Sequence, residues 1–331
     1  MPRIARRYIE SIFYLYPSAE DALAGEEAGG TGVLIGVDIP QGAGFIVLAV
    51  AARHTVHKHG CSVIRFNTRD GKADAIDLDS VEWFEHPDGD DLAVAFVHPD
   101  PGRHVFSFIP ALQCVNRGHV ERESVGLGDE VFMVGRFVNC DGDLINVPSV
   151  RFGHVSMMPI AIEHEDTPTG VQESFAVEML SRPGYSGSPV FVWRGPWDTA
   201  TGMYSINGAD DHIVRLLGIN WGFVSEHAEV REKTILASLP QVERSVKYVS
   251  QNTGLNGVVP AWRIIDLLES PQVKKRIVEE ARASVKKKRG GAELASAAGN
   301  QRRFEEAVTN LLKTPPKPHR DEPQRGKKNE G

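Results

Sequence analysis

Between Gly30 and Gly222 the chain is a succession of short apolar or alternating runs closed by turn residues, with few stretches of helical period. Alternation over four to eight residues buries one face of a strand, so this punctuation predicts an all-β body. The strand runs are Gly32 to Val37, Phe45 to Ala51, Ser62 to Phe66, Asp91 to Val97, Glu130 to Gly135, Gly153 to Met157, Ser174 to Val177, Pro189 to Trp193 and Leu216 to Phe223. Between them stand Pro87-Asp88-Gly89, Asp141-Gly142 and Asn207-Gly208, residues that tolerate the positive φ of tight turns. So many short strands call for a barrel or a sandwich.

No apolar run approaches the roughly 18 residues of a membrane helix, which excludes one. The basic N-terminus, MPRIARRYIESIFYLYP, is interrupted by Glu10 and lacks a small-residue cleavage site, so we read residues 1–29 as a leading segment of the mature chain. Three cysteines, Cys61, Cys114 and Cys140, are too few and scattered for a disulfide framework and form no CxxC pair for zinc; a reducing, cytoplasmic setting is expected. The body runs from 30 to about 270, with an internal boundary near 110–125, and closes on an amphipathic helix from about Ala261. From Pro271 to Gly331 there are 16 Lys and Arg against 8 Asp and Glu, in a chain of net charge −7. That tail reads as two helices, Val273 to Lys288 and Gln301 to Lys313, then a disordered end. Its basic runs lack interleaved aromatics, which speaks against nucleic acid and leaves a solvated extension or a contact with an acidic partner.

Chemistry concentrates at three places. In Arg182-Pro183-Gly184-Tyr185-Ser186-Gly187-Ser188-Pro189 a serine sits between glycines just before an apolar strand. Gly184 lets the backbone turn so that its N–H and that of Ser186 converge on one spot, as an oxyanion hole requires. A serine hydroxyl needs a base, and His54 follows the apolar run Phe45 to Ala52 where a strand should end. His57 and His59 read as loop residues. An imidazole base needs an orienting carboxylate, and Asp91 is the last acid before the run Leu92 to Val97, with Asp90 one register step away as the alternative.

The order His54, Asp91, Ser186 resembles that of bacterial trypsin-like serine peptidases of the chymotrypsin fold, nearer the HtrA-like and cytoplasmic branches than the digestive enzymes. Gly30-Thr31-Gly32-Val33 is similar to the family's first barrel strand, Ala51-Ala52-Arg53-His54 to its histidine motif, Asp91-Leu92-Ala93-Val94 to its aspartate motif and Gly184 to Pro189 to its nucleophile motif. Val125 to Gly135 and Gly153-His154-Val155-Ser156 are similar to the strands opening the second barrel. Leu217 to Gly222 is similar to the strand lining the specificity pocket. Tyr185 departs from the digestive enzymes, which carry an aspartate there to pair with a freed N-terminus.

The resemblance implies two six-stranded antiparallel barrels with the active site between them, and a serine endopeptidase with a polypeptide substrate and no metal or organic cofactor. His54 would be general base and acid, Asp91 its orienter, Ser186 the nucleophile, and the Gly184 and Ser186 N–H groups the oxyanion hole. It places Leu180, Ser181, Asn220, Trp221 and Gly222 around the substrate pocket. A leucine at its base offers no charge to a basic side chain, so an uncharged P1 residue is expected. No PDZ-like domain is evident. The competing reading is a catalytically silent, protease-like module that binds peptides.

Overall fold

The computed structural model describes residues 3–288 apart from 28, 40–43, 122–124, 139–141, 143, 194–196, 199–202, 205–213 and 231–246. Cys140, the Asn207-Gly208 turn and everything after 288, including the expected helix Gln301 to Lys313, lie outside the described residues.

The described chain is mostly strand. A short helix α1 (Arg6–Glu10) leads into β1 (Ile12–Tyr16), followed by α2 (Ala19–Ala24), β2 (Thr31–Ile39), β3 (Gly44–Ala51), β4 (Val63–Thr68) and β5 (Ala73–Ile76). Then come β6 (Phe84–Glu85), β7 (Ala93–Phe96), β8 (His104–Val105) and β9 (Ile109–Pro110). These form one open sheet in the order β5-β4-β1-β2-β3-β7-β6, with β8 on β4 and β9 on β2. After α3 (Arg117–Glu121), a second unit is built from β10 (Glu130–Gly135), β11 (Ser149–Glu163), β12 (Val171–Glu178) and β13 (Pro189–Trp193). A small ribbon, β14 (Trp197–Asp198) and β15 (Met203–Tyr204), separates these from β16 (Val214–Val230) and β17 (Lys247–Pro260). The second unit closes as a barrel, β10-β11-β12-β17-β16-β13. Two helices, α4 (Ala261–Glu269) and α5 (Pro271–Lys288), end the described chain.

The all-β reading therefore holds, with two differences at the edges. The first sheet is open rather than a closed six-stranded barrel among the described residues, and it takes in the leading segment. The strand β1, Ile-Phe-Tyr-Leu-Tyr, is buried at every position and lies between β2 and β4. A strand covered on both faces shows no alternation, so it reads as an unassigned apolar run. After it, Ser18 caps α2 by accepting from the Asp21 N–H at 3.0 Å, and Gly25 stops the helix with φ 77°. The second barrel closes with few strands because β11, β16 and β17 are long and bend at register shifts such as Val155/Met157 and Asn220/Gly222.

The two units share a core. Tyr14 and Tyr16 of β1 lie under the guanidinium groups of Arg65 and Arg136, each within 5.7 Å of a ring centre. Tyr8 meets Phe132 and Phe191 of the second barrel edge-on at 5.8 and 4.9 Å. Cys61 and Cys114 are both buried free thiols, and burial pushes Cys114 up to about 12, so it stays protonated.

The boundary expected at 270 falls inside this packing. Val273, Ile277 and Ala281 of α5 recur every fourth residue and are buried against β3 and α4. Arg276 lies 5.4 Å over the Phe96 ring. A chain ending at Ser270 is therefore expected to lose stability, by about 3–6 kcal/mol if Val273 and Ile277 each contribute roughly 1.5–3. Comparing its denaturant midpoint with that of full-length protein checks this; an unchanged midpoint would mean the helix contributes nothing.

Candidate active site

The strand β3 delivers His54. Beyond Ala51 and Ala52 the chain enters a single π-helical turn, His54–Lys58, closed by the His59 N–H on the His54 carbonyl at 2.9 Å. Asp91 grips the first residue of that turn twice: Oδ1 accepts the His54 backbone N–H at 2.8 Å and Oδ2 lies 2.6 Å from Nδ1. Both residues are buried, Asp91 completely. Burial alone would raise the Asp91 carboxyl, but hydrogen bonds from His164 and His54 outweigh it and hold the group well below the usual carboxylate range. With Asp91 ionised, the network assigns the proton of His54 to Nδ1 and leaves Nε2 as an acceptor.

The neighbouring Asp90 has different partners. It accepts from Gln172 Nε2 at 2.7 Å, lies 3.2 Å from His86 Nδ1 and pairs with Arg263 Nε of α4, whose Nη2 also reaches Asp88 at 2.8 Å. Asp90 thus ties the aspartate loop to the closing helix while Asp91 faces the histidine.

The second barrel completes the surroundings of Asp91. Gln172 of β12 accepts its N–H at 2.8 Å, and His164, in the turn after β11, brings Nε2 to 3.0 Å from Oδ2. The His164 ring stacks on Trp221 at 4.1 Å and 15°. Sequence reading passed over His164, because Glu163-His164-Glu165-Asp166 reads as a solvated acidic turn. Only the fold spans the 73 residues to Asp91.

Ser186 sits in the turn before β13. Gly184 and Gly187 have φ 95° and 84°, and a Cβ on Gly187 would stand 2.0 Å from the Thr31 carbonyl oxygen. Thr31 fastens this turn to the first sheet: its N–H donates to Ser186 O at 2.8 Å, and its hydroxyl donates to Gly184 O at 2.8 Å while accepting from Arg136 N at 3.0 Å. Among the described residues neither the Gly184 nor the Ser186 N–H has a hydrogen-bond partner. The Ser186 hydroxyl donates to Trp221 O at 3.2 Å. The path from Ser186 through Trp221, His164 and Asp91 to His54 therefore runs from the second unit to the first.

An open sheet beside a closed six-stranded barrel is the arrangement of a chymotrypsin-like fold. No family model matches the sequence, and no curated protein does. Among solved structures, the apo protease domain of MamO from Magnetospirillum magneticum is similar at 16% identity and a TM-score of 0.46, covering 81% of this chain and all of that one. The inactive form of the Rv3671c protease is similar at 13% identity and a TM-score of 0.40, covering 79% of this chain and 88% of that one. Its Ser343Ala mutant from M. tuberculosis H37Rv, also an inactive form, is similar at 12% identity and a TM-score of 0.38 over 81% and 94%.

Tyr185 is a core residue of the second unit. It is fully buried, and its hydroxyl meets Ser149 Oγ and accepts from Arg151 Nε at 3.0 Å. The five residues expected around a substrate pocket differ in their surroundings. Leu180 is 53% exposed and lines an open groove with Glu130, Phe152, Glu178, Met179 and Gly254. Ser181 is buried, its carbonyl accepting from Asn252 Nδ2 at 3.2 Å. Asn220 is committed to the nucleophile turn: its side-chain amide donates to Tyr185 O at 3.0 Å and its carbonyl accepts from the Gly187 N–H at 2.8 Å. Trp221 is held by its stack and by an Nε1 bond to Ser174 Oγ at 2.9 Å, and Gly222 has open space where a Cβ would be. His54, His164 and Asp166 each offer a ligand atom within 4.8 Å of the others.

Proposed function

We propose that the protein is a serine endopeptidase in which Ser186 attacks the peptide carbonyl, His54 Nε2 takes its proton and Asp91 steadies the imidazolium. The observation that supports this best is the double grip of Asp91 on His54, at 2.8 and 2.6 Å, which fixes both the tautomer and the ring. The free N–H groups of Gly184 and Ser186 are suited to the tetrahedral oxyanion. Collapse of that intermediate passes the proton from His54 to the leaving amine and leaves an acyl-enzyme on Ser186. Water, deprotonated by the same imidazole, then releases the acid. The Ser186 hydroxyl must first rotate from Trp221 O toward Nε2, a change that substrate binding can complete, since catalytic hydrogen bonds are often loose in free enzymes.

Leu180 and the open side of Gly222 favour an uncharged P1 side chain. The free, buried thiols favour a reducing compartment, and the basic tail from Pro271 to Gly331 is a solvated extension or a contact for an acidic partner. Incubating the purified chain with a peptide library and reading the products by mass spectrometry tests both activity and preference. Cleavage after Leu, Phe or Met supports the reading, and cleavage confined to Arg or Lys sites overturns the P1 assignment. The second reading, a silent peptide-binding module, is favoured by the bond from Ser186 to Trp221 O; it predicts bound but uncut library peptides.

A further inference from the structure

We infer that His164 is a positioning residue for the proposed hydrolysis: its ring N–H on Asp91 holds that carboxylate in the orientation that His54 needs. Two imidazoles meet on one oxygen, Asp91 Oδ2 lying 2.6 Å from His54 Nδ1 and 3.0 Å from His164 Nε2. An ionised carboxylate has no proton to give, so Nε2 of His164 is the donor. With Oδ1 taken by the His54 backbone N–H at 2.8 Å, the carboxylate cannot rotate without losing a bond. Asp91 is fully buried, and a buried carboxylate with too few donors protonates instead. Burial pushes its carboxyl up; the bond from His164, ahead of that from His54, brings it down well below the ordinary range. A protonated Asp91 could not stabilise the imidazolium that His54 becomes. The effect on turnover rests on the peptidase reading, while the hydrogen bond does not.

His164 is itself held in place. In the turn after β11 its N–H donates to Gly170 O at 2.9 Å and its carbonyl accepts the Thr167 hydroxyl at 2.9 Å. Its buried ring stacks on Trp221 at 4.1 Å, and that indole is pinned by Nε1 on Ser174 Oγ at 2.9 Å. From the other side, residues of the histidine turn clasp the turn that carries His164. Arg53, just before His54, donates from Nη2 to Asp166 O at 2.9 Å, and Lys58 Nζ pairs with the Asp166 carboxylate. The first unit thus supplies the base and its acid, and the second supplies the donor that aligns them. The stack also joins this donor to Trp221, whose carbonyl accepts the Ser186 hydroxyl.

Two substitutions in the full-length chain separate the bond from the stack. His164→Phe keeps a ring against Trp221 and removes the donor, whereas His164→Gln keeps an N–H at similar reach and removes the ring. In His164→Phe, kcat for peptide cleavage should fall about ten- to hundredfold, the scale of one hydrogen bond to a charged group, with KM within about threefold. His164→Gln should recover most of that loss. Proton–nitrogen NMR of ring-labelled histidines supplies a readout that needs no substrate. It should find protons on His54 Nδ1 and His164 Nε2, and a displaced His54 Nδ1–H resonance in His164→Phe. These signatures in a wild-type chain that cleaves nothing would keep the arrangement and remove the peptidase reading. A His164 with no proton on Nε2, or a His54 resonance unmoved in His164→Phe, would overturn the positioning role. So would an active chain in which His164→Phe turns over like wild type or His164→Gln is as impaired as His164→Phe.

Discussion

Ser186→Ala is expected to lower peptide turnover by about 10⁴-fold or more while leaving the fold in place. The hydroxyl makes one recorded bond, to Trp221 O at 3.2 Å, so its loss removes roughly 1 kcal/mol of structure at most. The turn around it is held by other atoms: Thr31 on the Ser186 and Gly184 carbonyls, Asn220 on Gly187 and Tyr185. Circular dichroism and melting temperature should match wild type when kcat is measured. Turnover within tenfold of wild type would remove Ser186 as nucleophile.

The second large effect is expected at Asp91. Asp91→Asn should lower kcat by about 10⁴-fold, because an amide can donate to Nδ1 and so stabilise the wrong imidazole tautomer. It also removes the charge facing two imidazoles. The pH profile of stability supplies a second readout. The folded-state carboxyl is held below its ordinary range, so its contribution is complete above the unfolded value of about 3.9 and disappears as pH falls below it. Wild type should lose stability on acidification below about pH 4, and Asp91→Asn should lose less. Asp90→Asn should behave in the opposite way, lowering the melting temperature through Arg263 and Gln172 while kcat stays within a few-fold. If Asp90→Asn abolished turnover and Asp91→Asn did not, the histidine would take its orientation from the other carboxylate.

The contrast between those two neighbours shows where sequence reading reaches its limit. Turn residues and alternation located most strands of the body, and Glu130–Gly135 and Pro189–Trp193 fall where the pattern put them. His54, Asp91 and Ser186 stood out in the sequence because each stands at a strand end, where the local pattern changes from buried to polar, and of these the structure bonds His54 to Asp91. What depended on both units meeting was not legible. The strand Ile12–Tyr16 is covered on both faces and carries no alternation. The helix Pro271–Lys288 was legible as a helix from Val273, but half its residues are charged and its narrow stripe Val273, Ile277, Ala281 gains meaning only against β3. His164 has no apolar frame in the sequence, yet it becomes a partner of Asp91 once β11 carries it against the first unit. The part Asn220 plays in holding the nucleophile turn, through its amide on Tyr185 O, was not legible either.

Labelling of the purified chain with a fluorophosphonate probe tests the central claim most directly, because the probe bonds only to a serine activated by a base and needs no knowledge of the substrate. Stoichiometric labelling of the wild-type chain at Ser186, located by peptide mapping, is expected, and none in Ser186→Ala or His54→Ala. A folded wild-type chain that stays unlabelled, or that labels as well without His54, would contradict it.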